Sequence, residues 1–263
     1  STEEPEVLQP FKEHPIVFSI FQEYKHWGKV LEVSSAGQLN NLVGQGKIDD
    51  FIRVAEALHD RKISEISDQI SSKKDHIRVV LIAGPSSSGK TTFTKKLSVQ
   101  LRVLGFNPVT ISVDDYFLPR NLTPKDENGE FDFESIDALD VELLNTHLVD
   151  LLNGKEVEIP EFDFKLGRSE PSGKILKLDR QTILVIEGIH GLNPGLTPGL
   201  PDESKYKIYI SALTQLNLDN HNRISTTDNR IIRRMVRDHN FRGMSALETL
   251  TMWPSVHRGE KAN

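Results

Sequence analysis

One stretch constrains this chain more than any other: Gly84-Pro85-Ser86-Ser87-Ser88-Gly89-Lys90-Thr91, followed by Thr92. Its spacing is G-x-x-x-x-G-K-[ST]. An apolar, β-branched run, Ile77 to Ala83, comes before it, and a helical pattern, Thr91 to Leu104, follows. A loop between a buried strand and a helix can turn several backbone N–H groups towards one point. Side chains must then stay out of the way, which Gly84 and Gly89 permit. The helix that follows aims the positive end of its dipole at the same point. Such a concavity suits the oxygens of a triphosphate. Lys90 is placed to bridge the outer phosphates, and the Thr91 hydroxyl to bind Mg2+. A plain glycine-rich turn explains neither the lysine nor the run of hydroxyls.

The rest of the chain supplies the matching frame. Short apolar runs recur at Val109–Val113, Thr182–Ile186 and Tyr206–Ile210, with helical stretches between them, notably Thr91–Leu104 and Val141–Leu152. Buried strands alternating with helices predict an α/β layer fold, a parallel sheet flanked by helices of the P-loop NTPase type. Before it, residues 1–75 read as a mostly helical extension or linker. Its clearest piece runs from Ile48 to Ile70, with an apolar stripe at Phe51, Ile52, Ala55, Leu58, Ile63, Ile66 and Ile70 and charges opposite. The polar break Ser71-Ser72-Lys73-Lys74-Asp75 separates it from a domain expected over 76–263.

Composition narrows the function classes. The net charge of -6 over 263 residues disfavours a nucleic-acid partner. With no cysteine, thiolate metal sites, disulfides and a cysteine nucleophile are excluded, in keeping with a cytoplasmic setting. No apolar run is long enough to span a bilayer. Ser1-Thr2-Glu3-Glu4-Pro5 has no apolar core of a secretory signal and is compatible with a cut inside a longer chain. Self-association is left open.

In α/β sheets, ligands sit beyond the carboxyl ends of the strands. Two apolar runs end there in acids: Val113-Asp114-Asp115-Tyr116 and Ile186-Glu187-Gly188. Glu187 has the place of an acid that holds Mg2+ directly or through water. One of Asp114 and Asp115 can take the proton from an attacking hydroxyl. His190 lies three residues beyond Glu187, where contact with an acceptor and a structural role are equally open. Arg230, Arg234 and Arg237 recur at helical spacing within a run that also holds Arg233 and Arg242. Cations gathered on one face inside an acidic chain suit a lid over a triphosphate.

Six segments in this order resemble the uridine kinase and phosphoribulokinase family: the P-loop, Asp114-Asp115-Tyr116-Phe117, Phe131-Asp132-Phe133, Pro160-Glu161-Phe162-Asp163-Phe164, Val185-Ile186-Glu187-Gly188-Ile189 and Arg233-Arg234-Met235-Val236-Arg237-Asp238. The likeness spans about residues 76–245. It is greatest to a bacterial uridine kinase-like subgroup in which this domain follows a TGS-type region, and residues 1–75 are similar to the helical linker found there. The resemblance implies ATP- and Mg2+-dependent transfer of the γ-phosphoryl group to a hydroxyl of a nucleoside-like acceptor. It implies Asp114 as catalytic base, Thr91 and Glu187 as metal ligands, Asp132 on the acceptor's ribose hydroxyls, and Arg234, Arg237 and Arg242 in the lid. Asp115, Tyr116, Phe162 and His190 are expected beside the acceptor.

Three positions depart from that pattern. Where pyrimidine kinases read the base with a tyrosine and a histidine, this chain has Phe162 and, at about the histidine's place, Gly167; a further lid arginine is replaced by Met244. The resemblance also implies a further strand and helix beyond the length reached at Asn263, and with them part of the nucleotide-base pocket is expected outside this sequence. A kinase for another small alcohol, and a nucleotide-switched binding module that phosphorylates no acceptor, are the alternative readings.

Overall fold

The computed structural model describes residues 15–262, apart from 127, 128, 130, 164, 165, 213, 215 and 220. Phe164 of the fourth motif segment therefore lies outside the described residues. So do residues 1–14 and Asn263.

In chain order the elements are α1 (Pro15–Val30), α2 (Ala36–Gly44), α3 (Ile48–Ser71), β1 (Val79–Ala83), α4 (Lys90–Val103), β2 (Asn107–Ser112), α5 (Val141–Leu152), β3 (Val157–Asp163), β4 (Arg168–Leu176), β5 (Thr182–Glu187), β6 (Lys205–Tyr209), α6 (Thr226–Arg242) and α7 (Ala246–Ala262). The chain divides into two compact units. One comprises Ser1–Ala57 with Thr214–Ile224, the other Leu58–Leu213 with Ser225–Asn263.

The first unit holds α1, α2 and the start of α3. Ser35 caps α2 by accepting from the Gln38 N–H, and the Gln38 side chain accepts from the Ser35 N–H, a reciprocal capping box. The late segment joins it through the backbone: Ala36 N–H donates to Asn217 O at 2.8 Å, and Asn217 N–H donates to Ser34 O at 3.0 Å.

The second unit is built on a four-stranded sheet ordered β2-β5-β1-β6, with every pair parallel. β1 is buried throughout, and β5 is buried up to Glu187. Strand alternation gives this sheet two apolar faces. Val79, Leu81, Leu184 and Ile186 point into one layer with Leu144, Leu148 and Leu151 of α5. Val80, Ile82, Ile183 and Val185 point into the other, with Phe93, Leu97 and Leu101 of α4 and Ile63 and Ile70 of α3. The later part of the α3 stripe is thus core of this unit. Beside the sheet, β3 and β4 form an antiparallel hairpin with a register shift at Ile159/Pro160, where proline has no N–H to donate.

Register sets the working edge. Glu187 pairs with Ile82 of β1 and with Ser112 of β2. Gly84, Asp114 and Glu187 therefore leave the sheet at the same rim. No described helix is long and apolar enough to cross a membrane.

Candidate functional site

At that rim the chain turns from β1 into α4 through the glycine-rich loop. Ser87 is left-handed at φ 60, and Gly89, the residue before α4, sits at φ 103. A non-glycine residue in that region costs roughly 1–3 kcal/mol and persists only where its surroundings hold it. Gly84 is required by space: a Cβ there would meet Ile210 O at 2.7 Å and Ser88 Oγ at 2.9 Å. The Lys90 ammonium donates to Gly84 O at 2.9 Å and Pro85 O at 3.3 Å, folding back over the loop. Burial lowers its pKa, while the negative charges of Asp114, Glu187 and Glu134 oppose that shift.

Across the rim, Thr91 Oγ1 donates to Glu187 Oε1 at 2.7 Å. Burial raises the Glu187 pKa, against the Thr91 hydrogen bond and the Lys90 charge. Asp114 opens the 3-10 turn Val113–Tyr116 after β2, its N–H donating to Ser112 Oγ at 3.3 Å. Its neighbour goes elsewhere. Asp115 Oδ1 accepts a long bond, 3.5 Å, from the Phe162 N–H, and its carbonyl accepts from Ser169 Oγ at 3.0 Å. Asp115 is thus tied to the hairpin, and burial raises its pKa.

A cavity of about 490 Å³ opens over this rim. Ser86, Ser87, Gly89, Lys90, Thr91 and Thr92 of the loop line it, together with Asp114 and Glu187. Arg233, Arg234, Arg237 and Arg242 reach it from α6 and its end. Asp132, Phe133, Glu134, Phe117 and Phe162 also line it, with Arg120. Phe162 meets Phe117 edge to face at 5.6 Å, and Phe117 meets Phe133 at 6.4 Å. Asp132 Oδ1 accepts from the Glu134 N–H at 3.1 Å, which steadies that turn.

The α6 arginines are tied to the loop. Arg230 Nε donates to Ser86 O at 3.0 Å, and Arg234 NH1 donates to Ser86 Oγ at 2.8 Å. Arg230 also lies over the Trp253 ring, 5.4 Å from its centre, which joins α6 to α7.

Not every residue singled out from the sequence lines the cavity. Gly84 and Ser88 belong to the loop without lining it. Tyr116 is buried, with its hydroxyl 3.1 Å from His147 Nδ1, and His190 is 1% exposed beneath the rim. Neither lines the cavity, nor does Asp115. Sequence reading missed Arg120 and Glu134, which lie outside the sharpest motifs. It also missed Met252, Ser255 and Val256 of α7, whose apolar spacing looks like any helix core.

The residues present fit a nucleoside triphosphate with a divalent cation. The buried Ser87 and Ser88 hydroxyls have no hydrogen-bond partner within the described protein, and the glycine-rich loop leaves no room for a Cβ at Gly84. Among the described residues no group of three or more histidines and acids can hold a metal ion. A hydroxyl and one carboxylate, with ligands completed by phosphates and water, is the donor set magnesium takes.

Residues 79–258 match the model of the "Phosphoribulokinase / Uridine kinase family". A uridine kinase of Macrococcus caseolyticus (strain JCSC5402) is 30% identical over 180 residues, covering 68% of this chain and 78% of that protein. An Arabidopsis thaliana protein named inorganic pyrophosphatase TTM2 is 38% identical over 131 residues, which are 49% of this chain and 18% of that one. The chain thus spans a minor part of the plant protein. A D-glycerate 3-kinase from Cryptococcus neoformans var. grubii shares the fold, with a TM-score of 0.51 at 14% identity, over 76% of this chain and 87% of that one.

Proposed function

Because the chain belongs to the phosphoribulokinase and uridine kinase family, we propose that it is an ATP- and magnesium-dependent kinase that phosphorylates a hydroxyl of a nucleoside-like acceptor. The observation that carries this reading is the Thr91–Glu187 hydrogen bond of 2.7 Å, made in a cavity that Lys90 and Asp114 also line. Donors for phosphate, ligands for a cation and a carboxylate for a proton then share one space.

In this reading the loop N–H groups and Lys90 hold the β- and γ-phosphates of ATP. Thr91 and Glu187 would hold magnesium, which when bound would neutralise charge on the phosphate oxygens. Asp132 positions the acceptor through its hydroxyls. The Asp114 carboxylate accepts the proton of the acceptor hydroxyl as that oxygen bonds to the γ-phosphorus. The bond from the γ-phosphorus to the bridging oxygen breaks, and ADP leaves with the electron pair. Arg234, Arg237 and Arg242 stabilise the charge spread over the three transferring oxygens.

A second reading, a kinase for another small alcohol, is favoured by the acceptor side itself. Phe162 offers an aromatic edge where a pyrimidine reader would place a hydroxyl, and Gly167 offers no side chain. A site without buried hydrogen-bonding groups for the base discriminates weakly.

The test is ATP consumption by the purified chain with magnesium against nucleosides, sugar alcohols and other small alcohols. Stimulation by a nucleoside, lost in Asp114→Asn, supports the first reading, and stimulation by non-nucleoside alcohols alone supports the second. ATP binding with no stimulation by any acceptor overturns both and turns the assignment to a nucleotide-switched module.

A further inference from the structure

Asp238 is wholly buried, at 0% exposure, in the last turns of α6. It faces three guanidinium groups. Arg234 Nε lies 3.2 Å from Oδ2, Arg237 donates to Oδ1 through Nε at 2.9 Å and NH2 at 2.8 Å, and Arg242 NH1 lies 3.7 Å from Oδ1. Every one of these arginines also lines the cavity. Helical geometry explains the gathering. Arg234 and Arg242 stand four residues before and after Asp238, on one face, and Arg237 is adjacent.

The backbone of the same residue ends the helix. Its carbonyl accepts from the N–H groups of Gly243, left-handed at φ 65, and Met244. That turn follows Arg242 and leads into α7. Thr249 Oγ1 of α7 approaches Asp238 Oδ2 at 3.5 Å.

Charge makes the arrangement conditional on this carboxylate. Three cations gathered in a partly buried space repel one another. Burial and the charge of Arg237 both disfavour the cationic forms of Arg234 and Arg242, and the charge of Asp238 favours them. Glu134 also favours the cation of Arg234 and Asp114 that of Arg242, but Asp238 lies within ion-pair distance of all three guanidiniums. Arg234 passes the constraint on, because its other nitrogen donates to Ser86 Oγ of the phosphate loop.

We infer that Asp238 is a positioning residue: it gathers Arg234, Arg237 and Arg242 into one preformed cationic surface for the γ-phosphoryl group, and it acts only through them. This rests on the reading that the α6 arginines engage that group. A residue that merely holds α6 together would affect every nucleotide alike, whereas Asp238 should affect the ligand that carries a γ-phosphate.

The experiment compares the affinities of magnesium–ADP and of the magnesium complex of a β,γ-imido analogue of ATP, by calorimetry, in wild type, Arg237→Gln, Asp238→Asn and the double variant, with thermal unfolding recorded for each. Each single variant is expected to lower the preference for the analogue over ADP about tenfold, the scale of one charged hydrogen bond. The double variant is expected to lose less than the two single losses combined, because part of the effect of Asp238 runs through Arg237. If Asp238→Asn does not fold, Asp238→Glu, which keeps the charge but displaces the carboxylate by a methylene, takes its place. A smaller loss is then expected, one that shrinks when Arg237→Gln is already present. Losses that add, or Asp238 variants with the wild-type preference, overturn the role of Asp238 and leave the lid reading standing. A wild-type preference in Arg237→Gln overturns the lid reading and this inference with it.

Discussion

Thr91 on the first turn of α4 and Glu187 at the end of β5 are joined by a hydrogen bond of 2.7 Å, although 96 residues separate them. The bond holds a hydroxyl and a carboxylate together at the mouth of the phosphate loop. It also partly offsets the burial of Glu187, whose pKa still lies above the ordinary glutamate value of 4.5. A carboxyl raised on folding binds its proton more tightly in the folded than in the unfolded chain. Its contribution to stability therefore declines as pH rises through that window. At pH 7, without nucleotide or metal, Glu187 is a charge held at a cost. Glu187→Gln is expected to raise Tm at pH 7 and to leave Tm nearly unchanged below about pH 4.5, where the native side chain is also neutral. The same variant is expected to lose magnesium-dependent turnover. Melts across pH check the first expectation, and a lower Tm at pH 7 would count against it.

Lys90 presents the opposite case, a cation retained in a buried place by the acids around it. If it holds the outer phosphates, Lys90→Ala should lower kcat by roughly 100-fold or more, the loss seen when one fixed donor to a developing charge is removed. Steady-state turnover on the best acceptor measures it. Near-wild-type kcat would remove Lys90 from the chemistry.

The two adjacent aspartates separate cleanly in space. Asp114 lines the cavity, whereas Asp115 is bound to the hairpin backbone. Asp114→Asn is expected to lower transfer by about 10²–10⁴-fold, the range for a general base, with ATP affinity within about twofold of wild type. Asp115→Asn is expected to retain transfer and to act on the hairpin. If Asp115→Asn is the inactive variant, the proton goes to the other acid.

Much of this is legible in the sequence itself, for a physical reason. Parallel strands buried on both faces are written as unbroken apolar runs, so their ends are visible, and Lys90, Asp114 and Glu187 follow such ends. Helix α5 shows the same clarity, because Asp140 caps it by accepting from the Leu143 N–H and its apolar positions repeat at helical spacing. The hairpin was not legible. β3 mixes Glu158, Pro160, Glu161 and Asp163 among its apolar residues, and β4 is largely exposed, so no long apolar run marks it. Side-chain direction was also hidden. Sequence puts Tyr116 and His190 within a few residues of the rim, but whether a side chain turns outward depends on packing, and both turn into the core. Nor did any local pattern reveal that Asn217 pairs with the chain leading into α2, since that contact is made by backbone groups.

Gly167 and Arg120 make the acceptor side testable. Gly167 sits at φ 66, and its carbonyl accepts from the Arg120 N–H at 3.0 Å. A Cβ at this position would lie 2.5 Å from both Cδ and Nε of Arg120. The glycine thus makes room for the arginine that lines the cavity near Phe162. Gly167→His, which supplies the residue type found in pyrimidine kinases, meets both obstacles. The left-handed backbone costs about 1–2 kcal/mol with a side chain present, and Arg120 must move. We expect a Tm lower by about 2–4 °C for each kcal/mol lost, with no gain in pyrimidine selectivity. Adding Arg120→Ala should recover part of the loss, since the steric conflict lies with the arginine stem, and leave the part due to the backbone. Melting curves of the two single variants and the double decide the matter: losses that simply add would mean that Gly167 and Arg120 do not compete for the same space.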